Sequence, residues 1–342
     1  MSIDLLRSKE LTDQNNDDLN WQEELRGSIR SVAKLLSELE ISPAEFAEIH
    51  QVERDFMTLT PRSFVSRMQK GNAKDPLLLQ VLPQTAELLH AKGFSKDPVG
   101  DVLASRGEGV IQKYGSRALL ITTSACAVHC RYCFRRHFPY TQASFNLKTL
   151  NHLSQLIETK PEINEVILSG GDPLMLSDEK LAQIFFRIEA MPQIQSVRIH
   201  SRLPVVLPKR VTQSLLDMFK FSRLQVAFVI HCNHPREINE EVRLACQQLK
   251  ASVSFLMNQS VLLKGVNDDI ETLVELSRAL LSSEVLPYYL HQLDRVQGAE
   301  HFAVSTEEGL SLLEQMRTRL AGYAVPRFVQ EIAGRPSKTV LA

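Results

Sequence analysis

Apolar residues in the first third of the chain return at helical intervals, with Trp21, Leu25, Ile29, Val32, Leu35, Leu36 and Leu39 on one face of a 3.6-residue period. Ser42-Pro43 and Thr60-Pro61 each read as an N-cap followed by Pro at the first helical position, where the missing N–H leaves no bond unmade. Leu77 to Leu89 adds another apolar stretch, interrupted by Pro83 and closed by Gly93 and Pro98. The pattern predicts an N-terminal helical region over 1–110, laid against something larger and carrying no chemistry of its own. From Arg117 the period changes. Six β-rich runs stand out, at Ala118–Thr123, Glu165–Ser169, Ser196–His200, Leu224–Ile230, Ser252–Met257 and Leu286–Leu290. Between them lie amphipathic stretches at Leu147–Leu156, Asp178–Ile188, Thr212–Phe219, Asn239–Leu249 and Ile270–Leu281. Alternation with short connections predicts an α/β fold over 111–342, a parallel sheet with right-handed crossovers that forms a partial (β/α)6 barrel. Ligands of such folds sit at the C-terminal ends of the strands, so the loop after each strand is where chemistry belongs.

Composition narrows the class only slightly. With 44% hydrophobic and 23% charged residues in 342, the chain can bury a sizeable core, which excludes collagen-like and wholly disordered readings. Lys plus Arg total 39 against 40 Asp plus Glu, and a net charge of -1 gives no electrostatic reason to expect nucleic acid or an anionic membrane as partner. A small molecule is the expected ligand. Met1 to Asn20 carry Asp4, Lys9, Glu10, Asp13, Asp17 and Asp18 without an apolar segment, and no run approaches the roughly 20 apolar residues of a membrane span. The expected compartment is the cytoplasm. Five cysteines change the picture more, because Cys126, Cys130 and Cys133 fall within eight residues while Cys232 and Cys246 lie far downstream. An odd, clustered set is not a disulfide framework, and the two distant thiols are expected to pack in the core or a site wall.

Three thiolates on the loop after the first predicted barrel strand can hold a soft metal centre. Spacing alone leaves three readings open: an iron centre, a structural zinc site completed by His129 or His137, or three packed small hydrophobes. The spacing, with Tyr132 just before the last Cys, resembles the radical S-adenosylmethionine (SAM) superfamily. There three thiolates hold a [4Fe-4S] cluster whose fourth iron is left open for the amino and carboxylate groups of SAM. The second predicted strand ends in Ser169-Gly170-Gly171-Asp172-Pro173, which alone is only a good turn sequence. One βα unit after the cysteines, it resembles the superfamily's SAM amino-group loop, with glycines that let the backbone approach a ligand.

The resemblance narrows to the lysine 2,3-aminomutase family over about Tyr114 to Lys338. His200-Ser-Arg202-Leu-Pro204, His231-Cys-Asn-His234-Pro235 and Asn258-Gln259-Ser260 are similar, in that order, to the family's segments after strands three, four and five. It implies a second cofactor, pyridoxal phosphate (PLP), held as a Schiff base by Lys338, a role that suits a partly desolvated amine. By itself a lysine so placed reads as a solvated charge. The glycine-rich run usual before that lysine is replaced by Gly334-Arg335-Pro336-Ser337. By the same matching Arg117 takes the PLP phosphate with Tyr114 beside it, Gln259 and His231 are cofactor-binding positions, and Arg135 clamps the substrate carboxylate. Asp294 and Glu331 hold the distal ammonium of lysine, Glu331 standing where the family usually has Asp. Any of these charges taken singly reads as an ordinary ion pair.

The resemblance therefore implies a 1,2-amino shift from L-α-lysine to β-lysine, driven by one electron from a reduced flavodoxin or ferredoxin. The C-terminal extension of many family members has no counterpart after Lys338. In this the chain resembles the shorter branch that makes (R)-β-lysine, with a functional link to elongation factor P and its lysylation enzyme. A glutamate 2,3-aminomutase would need a cation for the distal carboxylate, and Asp294 and Glu331 argue against it. A zinc-stabilised binding module is the rival from a different class.

Overall fold

The computed structural model describes residues 20–42, 52–53, 56–107, 109–140 and 146–342. Among them nine strands form one sheet in sequential order: β1 (Val110–Tyr114), β2 (Arg117–Thr123), β3 (Glu165–Gly170), β4 (Ser196–Ser201), β5 (Gln225–His231), β6 (Phe255–Val261), β7 (Leu286–His291), β8 (Arg327–Gln330) and β9 (Thr339–Val340). Strands β2 to β8 pair in parallel, and β1 and β9 add antiparallel to the two edges. Helices α1 (Leu147–Thr159), α2 (Asp178–Glu189), α3 (Gln213–Lys220), α4 (Glu240–Ser252), α5 (Ile270–Ser282) and α6 (Thr306–Arg319) follow β2 to β7 in turn. The six expected βα units are all present, in a partial barrel whose ends β1 and β9 do not pair. To the predicted strands and long helices the structure adds β1, β8, β9 and α6, and it moves the fifth predicted strand from Ser252–Met257 to Phe255–Val261.

Local chemistry sets the helix starts. Asn146, Thr212, Asn239, Asp269 and Ser305 each accept a hydrogen bond from a backbone N–H of the first turn, giving partners to donors that a helix leaves free. In β3 the last five residues are all buried, as expected of a strand covered on both faces.

The N-terminal region is packed onto this barrel: Trp21, Ile29, Leu35, Leu36, Phe64 and Leu77 share one apolar cluster with Leu168, Val197 and Phe228 of the sheet. Its apolar face does not form the continuous helix that the spacing predicts from Trp21 to Leu39. Residues 20–26 are helical, Gly27 turns, Ile29 pairs with Thr60 through two backbone hydrogen bonds, and a second helix runs Val32–Glu38 behind the cap of Ser31. Thr60 is consumed in that bridge, so Pro61 itself takes the N-cap position of Arg62–Val65, one place earlier in the helix than expected. Pro43, and with it the Ser42-Pro43 signature, lies outside the described residues. No helix among the described residues is long and apolar enough to cross a membrane.

Candidate active site

A cavity of about 670 Å³ opens at the C-terminal ends of the strands. Its wall contains Cys126, Cys130 and Cys133 after β2, Gly170 at the end of β3 with Gly171 and Asp172 after it, His231 and Gln259 on β5 and β6, Asp294 after β7, and Tyr114, Arg117, Arg135, Glu331 and Lys338; of the other residues singled out from the sequence, His137, Cys232 and Cys246 are not part of it.

The cysteine loop is held from both sides. Outside, it leans on the N-terminal region: the Arg131 N–H donates to Gln80 O (2.9 Å) and the His129 N–H to Leu59 O (2.9 Å). The buried Arg131 guanidinium forks onto Glu87 (2.8 and 2.6 Å), and Arg136 reaches the same carboxylate (2.8 Å). The N-terminal region thus braces the cysteine loop from outside, and its Asp101 lines the cavity. Inside, Gly170 and Gly171 let β3 press against the start of the loop. The Gly171 N–H donates to Thr123 O (2.7 Å) and the Asp172 N–H to Ala125 O (2.8 Å), where a Cβ on Gly171 would stand 2.2 Å from that carbonyl. The close approach made here is between two backbones, and Gly170 O already accepts from Tyr140 Oη (2.9 Å). The Asp172 carboxylate likewise ties β3 to β4, accepting from Ser201 Oγ and the Arg202 N–H (both 2.7 Å); burial pushes it up to about 6.

The three thiols are half-buried and unbridged. Burial, then the neighbouring thiols, pushes Cys126 well above the usual thiol range and Cys133 to about 11. Thiolates at Cys126 and Cys133 are thus costly by themselves, and the set of three thiols suits a cationic iron–sulfur centre. Neither candidate zinc histidine joins them. His129 Nδ1 sits 2.7 Å from Met57 O with its ring stacked on Phe56, and His137 Nε2 lies 3.1 Å from Gln297 O. Among the described residues no group of three or more His, Cys, Asp or Glu side chains is arranged to hold a single metal ion. The closed three-Cys, one-His set is not formed, and a donor set of three thiols facing a cavity fits a cluster with one iron left open.

At the other end of the cavity Lys338 Nζ lies 2.6 Å from Glu331 Oε2, and Tyr114 Oη donates to both oxygens of the same carboxylate (2.7 and 2.9 Å). Burial would raise Glu331, but Lys338, Tyr114 and Lys113 outweigh it and hold it below the usual carboxylate range. At Asp294 burial instead outweighs the pull of Lys338 and Lys113. The Asp294 Oδ1 is buried without a hydrogen-bond partner, and burial pushes the carboxyl up to about 7. The Arg117 Nε is also buried without a partner, its guanidinium 4.8 Å from the centre of the Tyr114 ring. Arg135 donates to Asp101 Oδ2 (2.7 Å) and Ser169 Oγ (2.8 Å), and Asp101 also pairs with Lys113 (2.6 Å). On the floor, Gln259 Nε2 is 3.3 Å from His200 Nδ1, and His231 Nε2 is 2.9 Å from Tyr132 Oη. Burial holds His200 and His291 well below the usual imidazole range and His231 at about 3, so this floor is polar and uncharged. Asp101, Lys113, Gln80, Glu87 and Glu237 escaped the sequence reading, since each meets partners far away along the chain and stands in no motif, and Arg202 was met only as part of the segment after strand three, without a role.

The fold brings three thiols and a Gly-Gly-Asp turn together at one strand-end cavity, and residues 120–277, which include them, match the model of the radical SAM superfamily. The chain is 44% identical to the L-lysine 2,3-aminomutase of Escherichia coli (strain K12) over 94% of this chain and 94% of that protein. The Haemophilus influenzae enzyme of the same name is 42% identical over 95% and 96%, and that of Clostridium subterminale 35% over 97% and 79%. The chain belongs to the L-lysine 2,3-aminomutase family of radical SAM isomerases. A solved radical SAM methyltransferase from Sphaerobacter thermophilus, 16% identical, matches 66% of this chain and 71% of its own with a TM-score of 0.48.

Proposed function

We propose that this chain converts L-α-lysine to (R)-β-lysine in the cytoplasm, using a [4Fe-4S] cluster, SAM and PLP, and that the product serves the modification of elongation factor P by its lysylation enzyme. The observation that carries the reading is the buried Oδ1 of Asp294, which has no hydrogen-bond partner and belongs to a side chain that faces the same cavity as Lys338 and the three cysteines. A buried carboxylate without a partner is costly, and an ammonium placed against it removes that cost. When bound, the cluster and SAM supply a primary carbon radical, and PLP supplies a carbonyl that takes up the migrating nitrogen.

The chain's own residues do the rest. Lys338 presents its Nζ at the cavity wall, and the orphaned Nε of Arg117 offers a donor to the cofactor phosphate. Arg135, steadied by Asp101 and Ser169, offers its planar fork to the substrate carboxylate. Asp294 and Glu331 receive the distal ammonium. The pair offers no cation to the distal carboxylate of glutamate, and the ionised Glu331 repels it, since like charges brought together in a partly buried site cost several kcal/mol (roughly 4 at 4 Å and an effective dielectric of 20). The uncharged histidine floor and the enclosing walls keep water and mobile protons away from a reactive carbon.

The test is anaerobic reconstitution with iron, sulfide, SAM, PLP and a reductant, flavodoxin or ferredoxin serving as the donor. Lysine should give β-lysine of R configuration on chiral chromatography, and that product should be loaded onto elongation factor P by the lysylation enzyme. SAM cleavage without β-lysine would defeat the substrate assignment, and the S enantiomer would defeat the stereochemical one.

A further inference from the structure

One ligand of the cysteine loop differs from the other two. Arg202, buried at the end of β4, donates from Nη1 to Cys130 Sγ (2.7 Å). Its other terminal nitrogen, Nη2, is fixed by Gln80 Oε1 (2.7 Å) from the N-terminal region and by Glu237 Oε2 (3.1 Å) after β5. The guanidinium plane lies against Tyr132 and Phe64, 5.7 and 5.3 Å from their ring centres. Gln80 and Glu237 bond each other as well (3.0 Å), and Asn233 Nδ2 closes the set onto Gln80 (3.0 Å). No hydrogen bond from a charged side chain reaches Cys126 or Cys133 among the bonds described. Hydrogen bonds to a ligating sulfur and the net charge around a cluster are two of the levers that set its reduction potential.

We propose that Arg202 is a positioning residue that orients Cys130 and raises the potential at which the cluster accepts its electron, with Glu237 tempering that effect from behind. The inference rests on the reading of the three cysteines as cluster ligands. A guanidinium on the thiolate draws negative charge from the sulfur and favours the reduced cluster. Glu237, fully buried against the same guanidinium, opposes it. The two residues should therefore move the potential in opposite directions, an outcome that a packing role would not produce.

The experiment is an EPR-monitored redox titration of the reconstituted full-length protein without SAM, so that any contact of Arg202 with that cofactor is removed from the comparison. Arg202→Gln is expected to leave about tenfold less reduced cluster at a fixed potential, a downward shift of about 59 mV for one electron. Arg202→Lys should fall between it and the unmodified protein, and Glu237→Gln should shift upward. If Arg202→Gln does not retain iron, Arg202→Lys and Glu237→Gln decide the matter. Midpoints that coincide with the unmodified protein, with iron content intact, overturn the inference alone. An unmodified protein that takes up no iron overturns the cluster reading beneath it as well.

Discussion

Asp294 shows how much one side chain can reveal about its absent partner. Its carboxyl is held at about 7 against an ordinary 3.8, chiefly by burial. Below about pH 4 the folded and unfolded chains both carry the proton, so the group costs nothing. As pH rises toward 7 the unfolded chain ionises while the folded one does not, and stability falls until the full penalty, at most about 4 kcal/mol, is present above pH 7. Asp294→Asn should therefore melt higher than the unmodified, ligand-free protein at pH 8 and no higher at pH 4, as calorimetry at the two pH values will show. The same variant should raise the KM for lysine roughly 10- to 100-fold, the loss of a charge-assisted hydrogen bond worth about 1.5–3 kcal/mol. Equal melting differences at both pH values would place the effect in packing. Asp294 and Lys338 could be picked out in the sequence only through resemblance. Asp101 was invisible because its partner Arg135 is 34 residues away, and Arg202, though it stands in the segment after strand three, gave no sign of its bond to Cys130, 72 residues away.

Among the elements, those that the sequence hid share a physical reason. Strand β9 has two residues and exists because the edge of β8 offers it partners, a circumstance that no local pattern encodes. Helix α6 has its start written in Ser305 and Glu308, yet Gly309 lowers its propensity. That glycine is required: a Cβ there would stand 2.5 Å from the Phe328 ring on β8. Strand β6 was displaced in the reading because Asn258, Gln259 and Ser260 look like a loop. In the fold Asn258 and Ser260 are buried, both bonded to Cys232 O. The five other predicted strands were legible as short, largely buried β-rich runs, and the five helices because their apolar residues follow the helical period. The turns that carry the site separate two kinds of glycine. Gly171→Ala drives a methyl into the backbone of Ala125 and should cost about 2–3 kcal/mol together with iron loading. Gly334, at φ +79 with open space around it, should cost only about 1 kcal/mol as Ala and leave iron unchanged. Urea midpoints and iron per chain measure both; Gly171→Ala with full iron would refute the role given to that close approach.

For the molecule as a whole, the open side of the barrel is where its two ends meet through side chains instead of a backbone ladder. Tyr114 and Lys113 of β1 reach Glu331 just past β8, and Lys338 enters the same contact from the start of β9. Lys338 keeps its place because the residues after it are pinned to β8, with Phe328 N–H donating to Ala342 O (2.9 Å) and Leu341 N–H to Phe328 O (2.8 Å). A variant ending at Lys338 should fold and load iron, yet lose borohydride-trapped PLP; full trapping would show that β9 does not position the amine. The charges at this seam have a further consequence. Three carboxylates, Asp101, Asp294 and Glu331, face three cations, Lys113, Arg135 and Lys338. Of the six, the Asp294 carboxyl, pushed up to about 7, is the one that still holds its proton as neutral pH is approached. An ammonium brought against it would make the charged form the favoured one, so the seam should take up the cation and release a proton to solvent.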